Sequence, residues 1–218
     1  MSSPDAVTGT TWVFLVLTAV FAVVDWYAVA RDRRQLEYAA KPATLLALLL
    51  VALSLEPVDP TARTWFVVAL VLSLAGDVLL MVPRNLFVAG LAAFLLGHGA
   101  YVVGLLEVGV SAGWLALGAV LVTAGVSTVG IRIVRAVRES DEPGMAVPVV
   151  AYVVVISLMV VCAVGTGSGL AASGSVLFYG SDALIAWNRF VETLVGGRLA
   201  IMITYHLGQA GLVLSLAA

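Results

Sequence analysis

Residues 64–82 read TWFVVALVLSLAGDVLLMV, an apolar stretch in which Asp77 is the single charged residue. A helix of about 20 mainly apolar residues is long enough to cross the hydrocarbon core of a bilayer. Comparable stretches recur along the chain and predict an all-α fold, a polytopic membrane bundle of eight transmembrane helices in one domain covering residues 1–218. We expect the spans at 11–30, 42–55, 64–82, 87–106, 112–134, 146–164, 170–188 and 199–217.

The predicted second span is short, and we expect its helix to begin earlier, near Glu37. The eight spans use most of the 218 residues, so the connecting loops must be short. No extramembrane catalytic domain is expected. Any activity would therefore lie within the bundle or at its mouth.

The composition excludes several classes of protein. Hydrophobic residues make up 62% of the chain and charged residues 11%, whereas soluble domains have about 45–50% and about 25%. This balance excludes a soluble enzyme and a disordered protein. A net charge of −2 offers no basic surface for DNA or RNA, so no nucleic-acid partner is expected. Cys162 is the one cysteine, which excludes an intrachain disulfide.

The positive residues orient the chain in the membrane. Ten of the 11 lysines and arginines fall in the loops 1–2, 3–4, 5–6 and 7–8, and Arg63 lies on the other side. The positive-inside rule then predicts that both termini lie outside, in a bacterial inner (plasma) membrane. We expect the first span to be retained, because the preceding residues 1–10 lack the positive charge of a signal peptide.

Three aspartates lie inside predicted spans, where a charged side chain costs about 2.5–3.5 kcal/mol on insertion scales. Asp25, Asp77 and Asp182 all fall roughly 7–10 Å from the inner loops at 1.5 Å of rise per residue. Asp77 and Asp182 are predicted to be functional because their depths match. Asp25 could equally be a hydrogen-bonding partner between helices.

Further polar residues lie near the same layer. Tyr205, His206 and Gln209 enter the eighth span from the inner side, Lys41 starts the second span, and His98 lies near the middle of the fourth. Tyr205 and His206 point about 100° apart, so at most one of them is expected to face the centre. These positions predict a polar cavity open to the cytoplasm, lined by spans 1, 3, 4, 7 and 8.

Two of these residues have alternative interpretations. His98 could be a hydrogen-bonded histidine between helices or part of the cavity wall. Lys41 could be an anchor whose ammonium group extends to the interface, or a ligand for a phosphate group. The chain has no His-x-x-x-His pair and no cysteine cluster, so neither a metal site nor a cofactor is expected.

A short internal repeat indicates a duplication. Residues 74–79, LAGDVL, resemble residues 179–184, YGSDAL. The two segments lie four spans apart and run in the same direction. This arrangement is compatible with two parallel four-helix repeats.

Motifs along the whole chain resemble those of the YhhN family of integral membrane proteins, which includes the animal lysoplasmalogenases. The motifs are Lys41-Pro42; Ser73 with Gly76-Asp77; Gly90, Phe94, His98 and Tyr101; Phe178 with Ser181-Asp182; and Thr204-Tyr205 with Gln209. The resemblance implies an eight-helix hydrolase that cleaves the vinyl-ether bond of a lysoplasmalogen. The products would be a fatty aldehyde and glycerophosphoethanolamine or glycerophosphocholine. Asp77 and Asp182 would correspond to the family's candidate catalytic carboxylates.

The implied chemistry needs a proton donor, a carboxylate that stabilises a cation and activates water, and an apolar tunnel for the chain. Two carboxyl groups in unlike environments divide such roles in glycosidases. The sequence leaves open whether Asp77 or Asp182 donates the proton. The residues expected to bind or position the lysophospholipid or ether-lipid substrate are Lys41, Ser73, His98, Tyr101, Ser181, Tyr205 and Gln209. Further candidates are Asp25, His206 and Arg84, of which Arg84 would help Lys41 to hold the phosphate.

A protein of another class remains the alternative: a proton-coupled transporter or a lipid-binding membrane protein without catalytic activity. Intramembrane carboxylates also serve proton coupling. Transporters often carry helices broken at the midplane, whereas the aspartates here lie near one face. A one-sided cavity favours lateral entry of a lipid.

Overall fold

The computed structural model describes residues 8–82 and 86–217. In this part of the chain the protein is all-helical, and eight helical segments are long and apolar enough to cross a membrane. The α-helices are α1 (Gly9–Ala30), α2 (Arg34–Ser54), α3 (Pro60–Met81), α4 (Phe87–Val108), α5 (Ala112–Gly125), α6 (Ile131–Glu139), α7 (Ala146–Gly165), α8 (Gly169–Phe190) and α9 (Gly197–Leu214). The predicted all-α bundle of eight spans is confirmed.

Two spans have boundaries or geometry that the apolar runs alone do not show. The helix of the second span begins at Arg34, which confirms the expected earlier start. The fifth span consists of α5 and α6, joined by a π-helical turn at Val126–Gly130. A π-turn adds a residue to the helical repeat, so it shifts the faces that α5 and α6 present to the bundle.

Three helices begin with side-chain caps on the side predicted to be outside. Thr8, Asp59 and Ser168 each accept a hydrogen bond from a backbone N–H in the first turn of α1, α3 and α8. Such caps satisfy donors that have no partner within the helix. The need is strong in a membrane, where an unpaired backbone group costs several kcal/mol.

The helices pack mainly as hairpins. The closest pairs are α1 with α2, α3 with α4, α5 with α7, and α8 with α9, while α4 also packs on α7 and α9 packs on α1 and α2. Small residues permit the closest approach. A Cβ atom added at Gly174 of α8 would lie 2.6 Å from the backbone nitrogen of Leu212 in α9. The pairing within each half is the one that two parallel four-helix repeats would produce.

Aromatic residues fill the centre of the bundle. Phe66, Phe94, Tyr101, Phe178 and Tyr205 are buried in one cluster, to which α3, α4, α8 and α9 all contribute. The intramembrane carboxyl groups lie among these side chains. The packing of four helices therefore fixes the surroundings of the site.

Candidate active site

Asp77 is held by side chains from two other helices. It is fully buried on α3, and its Oδ1 lies 2.8 Å from Nζ of Lys41 on α2. The hydroxyl of Tyr205 on α9 donates a hydrogen bond of 2.8 Å to Oδ2. An intramembrane charge is retained when it faces the bundle interior and pairs with an opposite charge. Asp77 thus joins α2, α3 and α9.

The structure contradicts one of the two interpretations given for Lys41, that of an interfacial anchor. Its side chain is 8% exposed, and its ammonium group turns inward to Asp77 instead of extending to the interface. The same group lies 5.4 Å from the centre of the Tyr205 ring. Lys41 is thus a paired cation inside the bundle, and its contact with a phosphate group stays a prediction.

Asp182 has a different set of partners. On α8, its Oδ2 accepts a hydrogen bond of 2.5 Å from the hydroxyl of Tyr152 on α7. Nε2 of His98 on α4 lies 3.6 Å from the same oxygen, too far for a direct hydrogen bond. The Asp182 side chain is 10% exposed, against 1% for Asp77. Of the two carboxyl groups, Asp182 is the more accessible.

Tyr152 is a site residue that the sequence analysis missed. It lies six residues after Ala146, where α7 begins, and so roughly 9 Å into the span at 1.5 Å per residue. This depth matches that of the predicted polar layer. The depth calculation made for Tyr205 in the eighth span, applied also to the sixth span, would have identified it.

Aromatic rings separate the two carboxyl groups. The Phe178 ring lies 4.7 Å from the ring of His98 and 5.3 Å from the ring of Tyr205, measured between centroids. His98 is beside Asp182, and Tyr205 bonds Asp77. The two aspartates therefore share a layer but have separate surroundings.

Asp182 opens onto an apolar cavity of about 750 Å³, including its open mouth. Helices α3, α4, α6, α7 and α8 and the π-turn form its walls. Among the described residues, its polar side chains are Asp182, Tyr152 and Tyr179, and the rest of the lining is apolar. A cavity with few polar groups placed among apolar walls is typical of a site for a hydrophobic ligand.

A second cavity, called the inner cavity below, lies at the end of the bundle that is predicted to face the cytoplasm, and three charged residues contribute to its lining. It measures about 630 Å³, including its opening, and its charged residues are Glu37, Lys41 and Arg198. Its other lining residues are Val29, Leu80, Phe87, Ile185, Ile201 and Met202. Of these, Leu80, Phe87 and Ile185 also line the apolar cavity. The sequence predicted one polar cavity, whereas Asp182 and Lys41 line separate cavities that share an apolar wall, because side chains paired between helices fill the centre.

A known family of membrane proteins matches the part of the chain that contains most of this site. The model of the YhhN family matches residues 36–216. The chain belongs to the YhhN family. The matched range contains both carboxyl groups and their partners, and Asp25 lies outside it.

Relatives of this YhhN protein carry a functional name. It is 34% identical to "Lysoplasmalogenase TMEM86B" of Homo sapiens over 147 residues. This aligned region covers 67% of this chain and 61% of the relative. It is 33% identical over 157 residues to "Lysoplasmalogenase" of Mycobacterium tuberculosis, covering 68% of this chain and 58% of the relative. The chain thus spans about three fifths of the length of these relatives. No solved structure matches it significantly.

Other residues expected at the site of this YhhN protein join helices and line neither cavity. The Tyr101 hydroxyl donates a hydrogen bond of 2.5 Å to Oε1 of Gln209, between α4 and α9. The Ser181 hydroxyl donates to the backbone carbonyl of Ile201 at 3.2 Å. Ser73 is buried between α3 and α4, close to Gly97. These residues fix the positions of the helices that carry the carboxyl groups.

The remaining candidates lie away from Asp182 or, in the case of Arg84, outside the residues that the structure describes. His206 points to α1, where its Nδ1 accepts a hydrogen bond of 3.1 Å from Nε1 of Trp26. Asp25 is fully buried on α1, and its carboxyl oxygens have no hydrogen-bond partner in the described part of the chain. Arg84 lies outside the described residues. Within residues 8–82 and 86–217, no three histidine, cysteine or acidic side chains are grouped to hold a metal ion.

Proposed function

We propose that the protein is a membrane-embedded hydrolase that cleaves the vinyl-ether bond of a lysoplasmalogen. The products are a fatty aldehyde and a glycerophospho-alcohol. The observation that carries the proposal is that the Asp182 carboxyl group, bonded by Tyr152, lines an apolar cavity inside the bundle. The names of the relatives in the YhhN family support the same chemistry.

The apolar cavity suits the hydrocarbon chain of such a lipid. The chain lies between α4, α7 and α8, and the vinyl-ether group reaches Asp182 at the shared wall. Moving a hydrocarbon chain from water into the cavity is favourable by about 0.8 kcal/mol for each buried CH₂ group. From a membrane this term is small, so the cavity serves to place the double bond more than to supply affinity.

Asp182 acts as the proton donor. Its carboxyl proton goes to the carbon β to the ether oxygen, which gives an oxocarbenium ion and a carboxylate. A water molecule adds to the carbon that bears the oxygen, and its proton returns to Asp182. The resulting hemiacetal collapses to the aldehyde and the free glycerol hydroxyl. Nε2 of His98, 3.6 Å from the carboxyl oxygen, is placed to hold that water.

Asp77 supports this reaction from behind the aromatic rings. The Asp77 carboxylate is ion-paired with Lys41 and bonded by Tyr205, so it acts on the developing cation as part of a fixed dipole and not as a free charge. Fixed dipoles in a site that excludes water stabilise a developing charge more strongly than they would in water. In this proposal Asp182 meets the substrate and Asp77 stabilises the cation.

The proposed orientation has both termini outside a bacterial inner membrane and the inner cavity open to the cytoplasm. The distribution of lysine and arginine supports this. The aldehyde then leaves into the membrane through the apolar cavity, and the glycerophospho-alcohol leaves to the aqueous side.

The test measures aldehyde released by purified protein from lysoplasmalogen, with a saturated lysophospholipid as the control lipid. We expect release from lysoplasmalogen alone, and a loss of roughly 10²–10⁴-fold in Asp182→Asn. Asp141→Asn, at an exposed position away from both cavities, is the matched control and keeps full activity. Near-normal turnover in Asp182→Asn would refute the assignment of the acid. If wild-type protein releases no aldehyde but takes up a solute under a pH gradient, a transporter is favoured instead.

A further inference from the structure

The inner cavity contains acidic and basic side chains that the proposed chemistry does not use. Arg198, in the first turn of α9, places Nη2 2.8 Å from Oε2 of Glu37 on α2 and Nη1 3.1 Å from Oδ1 of Asp32. The Glu37 side chain is 11% exposed, whereas that of Arg198 is 52% exposed. Glu37 thus holds a nearly buried carboxylate on the cavity wall.

This cluster is larger than a surface ion pair requires. Exposed ion pairs contribute about 0–1 kcal/mol to stability. Stability alone therefore gives no reason for the Glu37 carboxylate to be nearly buried. Glu37 and Arg198 also share the cavity with Lys41. A negative and two positive side chains therefore face one space.

The charge balance selects the kind of ligand. Lys41 and Arg198 are the two positive side chains of the lining, and each is already paired with a carboxylate group, Asp77 for Lys41 and Glu37 and Asp32 for Arg198. An anionic ligand alone would displace one of these carboxylates and leave it uncompensated. A ligand with one negative and one positive group could exchange partners with the Arg198–Glu37 pair and leave no charge uncompensated.

The position of the cavity relates it to the reaction site. Ile185, on the wall shared by the two cavities, lies three residues beyond Asp182 on α8, roughly 4.5 Å along the helix axis. A lipid whose chain occupies the apolar cavity and whose ether bond reaches Asp182 would extend its headgroup past Ile185 into the inner cavity.

We propose that the inner cavity binds the zwitterionic phospho-amine headgroup of the lysolipid. Glu37 faces the ammonium group, and Arg198 contacts the phosphate together with Lys41. This inference rests on the proposed function for the placement of the chain, but it concerns binding and can be measured without turnover.

The experiment compares two lipids with the same saturated chain, which the enzyme cannot cleave. One is lysophosphatidylethanolamine, which is zwitterionic, and the other is lysophosphatidylglycerol, which is anionic. Binding to the full chain is measured in uncharged maltoside micelles. We expect wild-type protein to prefer the zwitterion, and Glu37→Gln to weaken its binding roughly 10-fold or more, as for loss of a hydrogen bond to a charged group.

Two further proteins make the result decisive. The double variant Glu37→Gln/Arg198→Gln removes both charges without changing the net charge, so it tests the site even if the single variant folds poorly. Glu142→Gln is the matched control, because Glu142 forms a pair of the same length, 2.8 Å, with Arg189 outside the inner cavity. We expect the double variant to lose the preference and the control to keep it.

The outcomes separate this inference from the proposed function. An unchanged lipid preference in both Glu37 variants overturns the headgroup site, even if wild-type protein releases aldehyde. A preference that depends on Glu37 supports the site, even if no aldehyde is released, and in that case the proposed hydrolysis fails alone.

Discussion

At the scale of single residues, Asp77 and Asp182 show how different hydrogen-bonding and ion-pair partners give two identical side chains different surroundings. Both lie at a similar depth, but Asp77 pairs with an ammonium group and a hydroxyl, while Asp182 accepts one hydroxyl hydrogen bond. The first is compensated and enclosed. The second retains a free face toward the apolar cavity, so it can reach a bound lipid.

The Tyr152 hydroxyl should matter for turnover because it orients the Asp182 carboxyl group. We expect Tyr152→Phe to lower kcat roughly 10–100-fold, as for loss of a hydrogen bond to a charged partner. KM should change little, since the ring remains on the cavity wall. The measurement is aldehyde release at varied lysoplasmalogen concentration.

Tyr179→Phe is the control for this experiment. Tyr179 lines the same cavity, and its hydroxyl makes no hydrogen bond within the described residues. Equal losses in Tyr152→Phe and Tyr179→Phe would mean that the cavity tolerates no change in polarity, and Tyr152 would have no specific role in positioning Asp182.

At the scale of helices, each carboxyl group joins three elements. Asp77 joins α3 to α2 and α9, and Asp182 on α8 bonds α7 and lies beside α4. Asp77 lies on the third span, and its partners come from the second and eighth spans. Asp182 lies on the seventh span, and its neighbours come from the sixth and fourth spans, which correspond to the second and eighth after a shift of four spans. This correspondence agrees with two four-helix repeats packed on each other.

The Lys41–Asp77 pair should therefore stabilise the contact of α2 with α3. We expect Lys41→Met to lower the free energy of unfolding by about 3–5 kcal/mol, because it leaves the Asp77 carboxylate buried and uncompensated. The double variant Lys41→Met/Asp77→Asn should recover most of that loss. Unfolding in detergent measures both values.

The Arg189–Glu142 pair provides the comparison for this prediction. Arg189 is about one-third exposed, and we expect Arg189→Met to cost about 1 kcal/mol or less. If the double variant at Lys41 and Asp77 is as unstable as the single one, the lysine contributes by packing and not by charge.

At the scale of the whole molecule, the loops divide into two sets on opposite sides of the bundle. The set predicted to face the cytoplasm carries most of the arginines, including Arg198, which lines the inner cavity, and Arg189, which lies outside it. The outer set carries the helix caps at Asp59 and Ser168. Charged side chains thus line the inner cavity, whereas the cavity beside Asp182 is lined mainly by apolar residues.

This arrangement predicts which loops are reached from outside a cell. In a Cys162→Ala background, a membrane-impermeant maleimide should label Glu56→Cys in intact cells, and should label Asp141→Cys only after permeabilisation. Both positions are exposed, so accessibility within the protein does not differ between them. The reverse pattern would place the termini and the polar cavity on the opposite sides.

The sequence by itself determined the number of spans and the family, because these depend on hydropathy and on local motifs. The tertiary structure alone decided that Lys41 pairs with Asp77, that Tyr152 bonds Asp182, and that Asp182 and Lys41 line separate cavities. Contacts between the helices join residues up to 180 positions apart, such as Trp26 and His206. They depend on how each helix is rotated against its neighbours, and that rotation is set by the packing of all the helices together.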